Sequence, residues 1–278
     1  MVLGNNTNLR KIKEQIKDFA FVFDIDNTLI SEDGDVDETF FSIADTMIDK
    51  DIKLTFATGR SYQFCKEVVE RVKTKLPIIC FDGQVLCTSE LVFYKLVFPE
   101  ISKVCLEKMK KDFYIYFEDT YEIVTFEATG VLIYSLEFSY PRKRIRIDPN
   151  MHLFKPLRIY LRKKKNYIEF DDEKIKELIC FNDTYVKVYP KGIWMSLYPE
   201  KADKVDACLE LCKLQGIDIS QVVFFGDDYN DLRLMQECGI SIAMGNSISD
   251  IMEIADIKIG TVKERGVSTF LKQILGFG

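Results

Sequence analysis

Read as a string of apolar and polar positions, the chain changes texture twice. Residues 19–23, 52–57 and 77–81 are short, mostly apolar runs without alternation, the pattern of strands covered on both faces. Between them, residues 37–50 place Phe40, Phe41, Ala44, Met47 and Ile48 on one side of a helix. Residues 61–73 read as a second helix with Ser61 at its cap. Residues 9–16 carry the same helical spacing ahead of the first strand. Strands alternating with helices predict a parallel sheet with right-handed crossovers.

From residue 86 the runs alternate instead. Segments 94–97, 114–117, 122–127, 157–161 and 184–189 read as half-exposed strands, with helices over 100–111 and 172–180. The first texture then returns. Residues 193–197 read as a strand leading back to the core, and 203–214 as a helix with Val205, Cys208, Leu209 and Cys212 inward. Strands follow over 222–225, 240–244 and 256–259, with a helix to Glu237 and a last one over 267–275. The expected fold class is α/β, a Rossmann-like parallel sheet core built from residues 1–85 and 191–278. Residues 86–190 form an inserted α+β domain.

A chain of 278 residues has room for one large or two modest domains. A net charge of -6 argues against a general nucleic-acid binder. No apolar run approaches the roughly 20 residues of a membrane helix. Residues 1–18 are polar and mixed in charge, unlike a secretory signal. Eight cysteines without a CxxC pair read as reduced thiols of a cytoplasmic protein.

The chemistry collects where parallel strands should end. Asp24 and Asp26 follow the first apolar run, one residue apart. Turn and cap chemistry alone accounts for such a pair, since Asp, Asn and Thr all favour turns. Two close carboxylates otherwise call for a cation or a shared proton. Thr58-Gly59-Arg60, Asp227/Asp231 and Gly245-Asn246 end three further core segments, and Lys204 opens a helix that reaches the same edge. Open α/β sheets bind ligands at that edge. Carboxylates, a hydroxyl, backbone N–H groups and an ammonium suit phosphoryl transfer through Mg²⁺. A carboxylate about 4 Å from a phosphoryl group is repelled by about 4 kcal/mol per pair of unit charges at an effective dielectric of 20. A divalent ion and a lysine offset that repulsion. Gly59 leaves backbone room near a phosphate, and the helix that follows favours an anion.

Asp24-Ile-Asp26-Asn-Thr-Leu, Thr58-Gly59-Arg60, Lys204 and Gly226-Asp227-Asp-Tyr-Asn230-Asp231 occur in the order of the haloacid dehalogenase superfamily motifs, which the chain resembles. Asp82-Gly83, Met244-Gly245-Asn246 and the long insert are similar to its Cof-type phosphatase subfamily, whose members carry an α/β cap of the second type. The resemblance implies that Asp24 is the nucleophile and forms an aspartyl-phosphate, while Asp26 is the general acid and base. It implies phosphate binding by Thr58, Gly59, Lys204 and Asn230. It implies Mg²⁺ held by Asp24, by Asp26 through its backbone carbonyl, and by Asp227, with Asp231 direct or through water. The partner implied is a small phosphorylated metabolite, such as a sugar phosphate, chosen by the cap; no nucleic acid or membrane partner is expected. Oligomeric state cannot be read from the sequence.

Two residues depart from the pattern: Asn27 and Asp228 stand where glycine is usual. Asn tolerates left-handed backbone; Asp228 either strengthens metal binding or faces water. Arg60 either touches phosphate or pairs with a nearby acid. Lys201 lies three residues before Lys204, but Lys204-x-x-Ala207 fits the motif better. The lone His152 reads as a surface or packed residue, and Trp194 as core. Residues 141–165 hold ten Lys or Arg against one acid, Asp148, which suits solvated faces or a surface that attracts an anion. Two other functions share this equipment: phosphoryl transfer to a sugar, and a phosphoacceptor binding module without turnover.

Overall fold

The structure is a computed structural model that describes residues 3–4, 6–98, 101–120, 122–126, 144–153, 155–164, 184–188, 194–199 and 202–276. It divides into two compact units, Met1–Lys95 with Asp203–Gly278, and Leu96–Ala202.

The first unit is built on a six-stranded sheet. Its order is Leu3–Gly4, Ile257–Lys258, Ile240–Ala243, Val222–Gly226, Ala20–Phe23 and Lys53–Phe56. All pairs are parallel except the short Leu3–Gly4 edge, which the sequence reading left unassigned. From Ala20–Phe23 the chain winds outward to Lys53–Phe56; from Val222–Gly226 it winds the other way. The winding reverses between these two central strands, the place where open α/β sheets bind ligands. Side chains alternate between faces as strands require. Val22, Phe224 and Ala57 pack with Val205, Ala207, Cys208, Leu211 and Leu234 on one face. Phe23 stacks on Phe225 at 4.5 Å and meets Phe40 edge-on at 5.1 Å on the other. Helices Glu38–Asp49 and Lys204–Gln215, on opposite faces, are each capped by the preceding aspartate, Asp37 and Asp203. In Lys204–Gln215 the inward residues are Val205, Ala207, Cys208, Leu211 and Cys212, whereas the expected Leu209 is exposed.

The third strand, Ile78–Cys80, pairs with the main sheet through the bridge from Ala57 to Ile79. It pairs antiparallel with Val85–Cys87, which pairs with Val92–Lys95. This ribbon belongs to the first unit and moves the boundary from residue 86 to 95. The reason is local: the turn after Cys80 reverses the chain before it leaves the core.

The second unit is a six-stranded sheet: Thr184–Val188, Trp194–Pro199, Arg158–Lys163, Phe113–Glu118, Glu122–Thr125 and Arg144–Ile147. Only the last pair is parallel. Trp194–Pro199 pairs within this sheet and not with the core strands, so the second boundary falls at Ala202 rather than 190. One face packs Phe113, Ile115, Phe117, Ile159 and Leu197 with Cys105, Leu106 and Met109, the last three from the helix Lys103–Met109. The opposite face is also buried at Tyr116, Glu118, Arg158 and Tyr160, where half-exposed strands were expected. There the Arg158 guanidinium lies 3.9 Å from the Glu118 carboxylate and over the Tyr198 ring. Of the basic stretch, Arg146 is held by Glu122 and Asp148, and Arg158 by the Tyr160 hydroxyl. The expected helix over 172–180 and the side chains of His152 and Trp194 lie outside the described residues. Six described cysteines are free, but Cys105 is disulfide-bonded, which corrects the expectation of reduced thiols throughout. No helix among the described residues is long and apolar enough to cross a membrane.

Candidate active site

Asp24 and Asp227 leave the two central strands at the same edge. The Asp24 amide donates to the Phe225 carbonyl, so the ladder continues to the residue that carries the carboxylate. Ala20–Phe23 and Val222–Gly226 are paired in register, Phe23 opposite Phe225. Asp231 comes from the single turn Tyr229–Asp231 that follows. One carboxylate oxygen from each of Asp24, Asp227 and Asp231 lies within 4.8 Å of the other two, and all three residues are buried. Thr28, which stands in the Asp24-Ile-Asp26-Asn-Thr-Leu motif without an expected role, donates its hydroxyl to Asp227 at 3.2 Å.

Lys204 closes this group. Its ammonium is fully buried and lies 2.7 Å from Asp24 Oδ1 and 2.6 Å from Asp231 Oδ1. The other Asp231 oxygen accepts from the backbone amides of Asp227 and Asp228 at 2.9 and 3.2 Å. Asp231 thus orients both the lysine and the loop carrying Asp227. Gly226 makes this possible, because a Cβ there would meet Asp231 Oδ2 at 2.6 Å. Burial raises the Asp24 carboxyl well above its ordinary value; Asp231 and Asp227 add to the rise, and Lys204 opposes it. Burial, then Asp231, push the Asp227 carboxyl up to about 7, against Lys204 and the Thr28 hydroxyl. At Lys204 burial alone favours the neutral amine, but Asp231, Asp24 and Asp82 outweigh it and hold the proton more tightly than usual.

The donor set fits a hard divalent cation. Three carboxylates around one ammonium leave two negative charges in excess, and every acidic donor is oxygen. Asp24 and Asp227 are the members open to direct ligation. Asp231 already uses each oxygen once or twice.

Other candidates stand beside this cluster. Asp26 is exposed, and its carboxylate lies outside the three-acid group. Arg60 donates to both of its oxygens. Thr58 is buried, and its hydroxyl accepts from the Arg60 amide at 3.1 Å. Gly59 makes room for a side chain: a Cβ there would lie 2.7 Å from Asp82 Oδ1. Asn230 donates its amide to the same Asp82 oxygen at 2.7 Å. Asn27 takes the left-handed conformation, φ 57, as its residue type allows, and its carbonyl accepts from the Asn246 amide. Asp228 is exposed and caps the following turn. Asp82 was legible as part of a turn and of the Asp82-Gly83 motif, but nothing in its own segment points to Asn230, which lies 148 positions away.

A family model described as haloacid dehalogenase-like hydrolase matches residues 21–271. YkrA of Bacillus subtilis is 25% identical over 259 residues, covering 91% of this chain and 96% of that protein. The 5-amino-6-(5-phospho-D-ribitylamino)uracil phosphatase YitU of the same organism is 21% identical and covers 93% and 98%. Among solved structures, the subclass IIB sugar phosphatase BT4131 shares the fold, with a TM-score of 0.69, 20% identity and coverage of 92% and 98%. With nearly the whole chain matched by one family model and by proteins named as phosphatases, the chain belongs to the haloacid dehalogenase-like hydrolase family and is a phosphatase of that family.

Proposed function

We propose that this phosphatase hydrolyses a small phosphorylated metabolite, a sugar phosphate being the leading class, in a Mg²⁺-dependent reaction through an aspartyl-phosphate on Asp24. The observation that carries the reading is the meeting of Asp24, Asp227 and Asp231 around the Lys204 ammonium. The sugar class is supported by the structural neighbour BT4131, a sugar phosphatase, and by YitU, whose name specifies a ribityl phosphate substrate.

Asp24, the Asp26 backbone carbonyl and Asp227 would hold Mg²⁺, with Asp231 reaching it through water. When bound, the ion supplies positive charge that lets an anionic carboxylate approach an anionic ester. Asp24 attacks phosphorus with the oxygen that Lys204 does not hold, and the ester oxygen leaves with a proton from Asp26. Asp26 then takes a proton from the water that attacks the aspartyl-phosphate, releasing inorganic phosphate and regenerating Asp24. Before either step Asp26 must exchange its Arg60 contacts for the reacting oxygen. The Thr58 hydroxyl, the Asn230 amide and the Lys204 ammonium bind the phosphoryl oxygens, with Gly59 beside them. Residues 96–202 select the leaving group.

The test is hydrolysis of p-nitrophenyl phosphate by purified protein. Turnover should require a divalent ion, and Asp24→Asn should abolish it. Metal-independent turnover, or activity surviving in Asp24→Asn, overturns the reading.

A further inference from the structure

We propose that Asp82 is a positioning residue that sets the orientation of Asn230 and the spacing between the Thr58-Gly59 loop and the start of the Lys204 helix. The inference rests on the phosphatase reading above and adds a residue to which that reading assigns no role.

Phe81, Asp82 and Gly83 follow one another with φ of 54, 53 and 93. Consecutive left-handed residues other than glycine are costly and persist where the surroundings over-determine them. Here the surroundings are the proposed phosphate-binding segments. The Phe81 amide donates to the Arg60 carbonyl at 3.0 Å, and the Asp82 amide to the Thr58 carbonyl at 3.1 Å. Gly83 lies so close to the Asp203–Lys204 peptide that a Cβ would be 1.9 Å from the Asp203 carbonyl oxygen. The turn is therefore wedged between the loop holding Thr58 and the helix holding Lys204.

The Asp82 side chain uses that position. Its Oδ1 accepts from Asn230 Nδ2 at 2.7 Å and fills the space that Gly59 leaves by lacking a side chain. A carboxylate oxygen accepts but never donates, so Asn230 must present its amino group to it. One N–H is engaged by Asp82, and the second N–H of the same nitrogen donates to a phosphoryl oxygen. A neutral partner with both a donor and an acceptor would permit the flipped amide, which turns a carbonyl oxygen toward an anion. The Asp82 charge also helps keep Lys204 protonated.

The decisive experiment compares Asp82→Ala, Asp82→Asn and Asn230→Ala, alone and with Asp82→Ala combined with Asn230→Ala. Substrate is p-nitrophenyl phosphate, and orthophosphate is the competing anion. Asp82→Ala should lower kcat/KM and weaken orthophosphate inhibition, each by about tenfold to a hundredfold. In the Asn230→Ala background the same change should have little further effect, because the two residues act as one unit. Asp82→Asn keeps an acceptor oxygen and tolerates left-handed backbone, but its amino group also permits the flipped Asn230 amide, so it should recover only part of the loss. Additive losses, or unchanged inhibition by orthophosphate, overturn the proposal. A second arm needs no turnover: the Asn230 side-chain NH₂ signals in a ¹H–¹⁵N spectrum, identified by their loss in Asn230→Asp, should move in Asp82→Ala. Signals that stay in place overturn the proposal as well. Wild-type protein without turnover would remove the phosphatase reading instead, and the spectrum would still decide whether Asp82 holds Asn230.

Discussion

Arg60 grips Asp26 by both carboxylate oxygens, with Nε at 3.0 and 3.1 Å and a terminal nitrogen at 2.5 Å from Oδ1. The two residues follow neighbouring strands, Ala20–Phe23 and Lys53–Phe56. Asp24 lies two positions before Asp26 yet has a different environment, since it is buried against Lys204. The strand ends at Phe23, ahead of both residues, so the pleat that would put positions two apart on one face no longer governs Asp26. One carboxylate is thereby committed to the buried charge cluster, and the other is parked on a half-buried guanidinium.

That arrangement separates stability from catalysis. An exposed ion pair contributes about 0–1 kcal/mol, so Arg60→Ala should leave the unfolding midpoint in urea almost unchanged. The same variant should lower kcat roughly tenfold, because Asp26 loses the contact that holds it ready. Arg60→Lys keeps the charge but not the planar fork and should fall between. Equal kcat in all three proteins would show that the contact is incidental.

Lys204 is the opposite case. Removing one partner from a buried ion pair costs about 3–5 kcal/mol, because the remaining charges stay in the interior. Lys204→Met leaves Asp24 and Asp231 facing each other without their shared cation. Metal-free Lys204→Met should therefore unfold at much lower urea, and Mg²⁺ should restore part of the loss. A variant as stable as wild type in EDTA would contradict this.

The raised carboxyls give a pH dependence with a definite sign. Asp227 titrates at about 7 in the fold, against an ordinary value of 3.8, chiefly because it is buried. A carboxyl that binds its proton more tightly when folded favours the fold at low pH, and that contribution is lost as pH climbs through its folded value. In EDTA the melting temperature should fall between about pH 5 and pH 8. Divalent binding needs ionised oxygens, so the rise in melting temperature on adding Mg²⁺ should grow across the same window. A metal-induced rise as large at about pH 5 as at about pH 8 would exclude this linkage.

Glycines test the wedge at residue 83. Gly83→Ala adds a Cβ 1.9 Å from the Asp203 carbonyl oxygen at φ +93. Gly34→Ala meets the same kind of backbone, φ +85, with nothing within 4 Å. The second should cost about 1 kcal/mol, the ordinary penalty for left-handed backbone. The first should cost several-fold more and should also reduce orthophosphate affinity, since Lys204 lies on the displaced segment. Equal melting temperatures for the two variants would refute the difference.

Asp24, Thr58 and Asp227 were legible because each lies where an apolar run stops, and Lys204 because it opens a helix and fits the motif pattern Lys204-x-x-Ala207. Leu209 and the segment 193–197 misled for the same reason in reverse. Apolar spacing reports that a side chain or strand seeks burial, not which surface buries it. Leu209 satisfies the spacing yet is exposed, and Trp194–Pro199 pairs within the second unit.

By itself, the order of apolar runs and acidic strand ends determined a parallel core interrupted by a second sheet, and which carboxylates could share an edge. Those features are local or periodic, and a period is visible in one dimension. Only the tertiary structure decided that Lys204 bridges Asp24 and Asp231, that Arg60 takes Asp26, and that Asp82 holds Asn230. Each of these joins groups far apart in the chain at distances near 3 Å or less. Such contacts depend on how strands are registered and how turns bend, which no stretch of sequence encodes on its own.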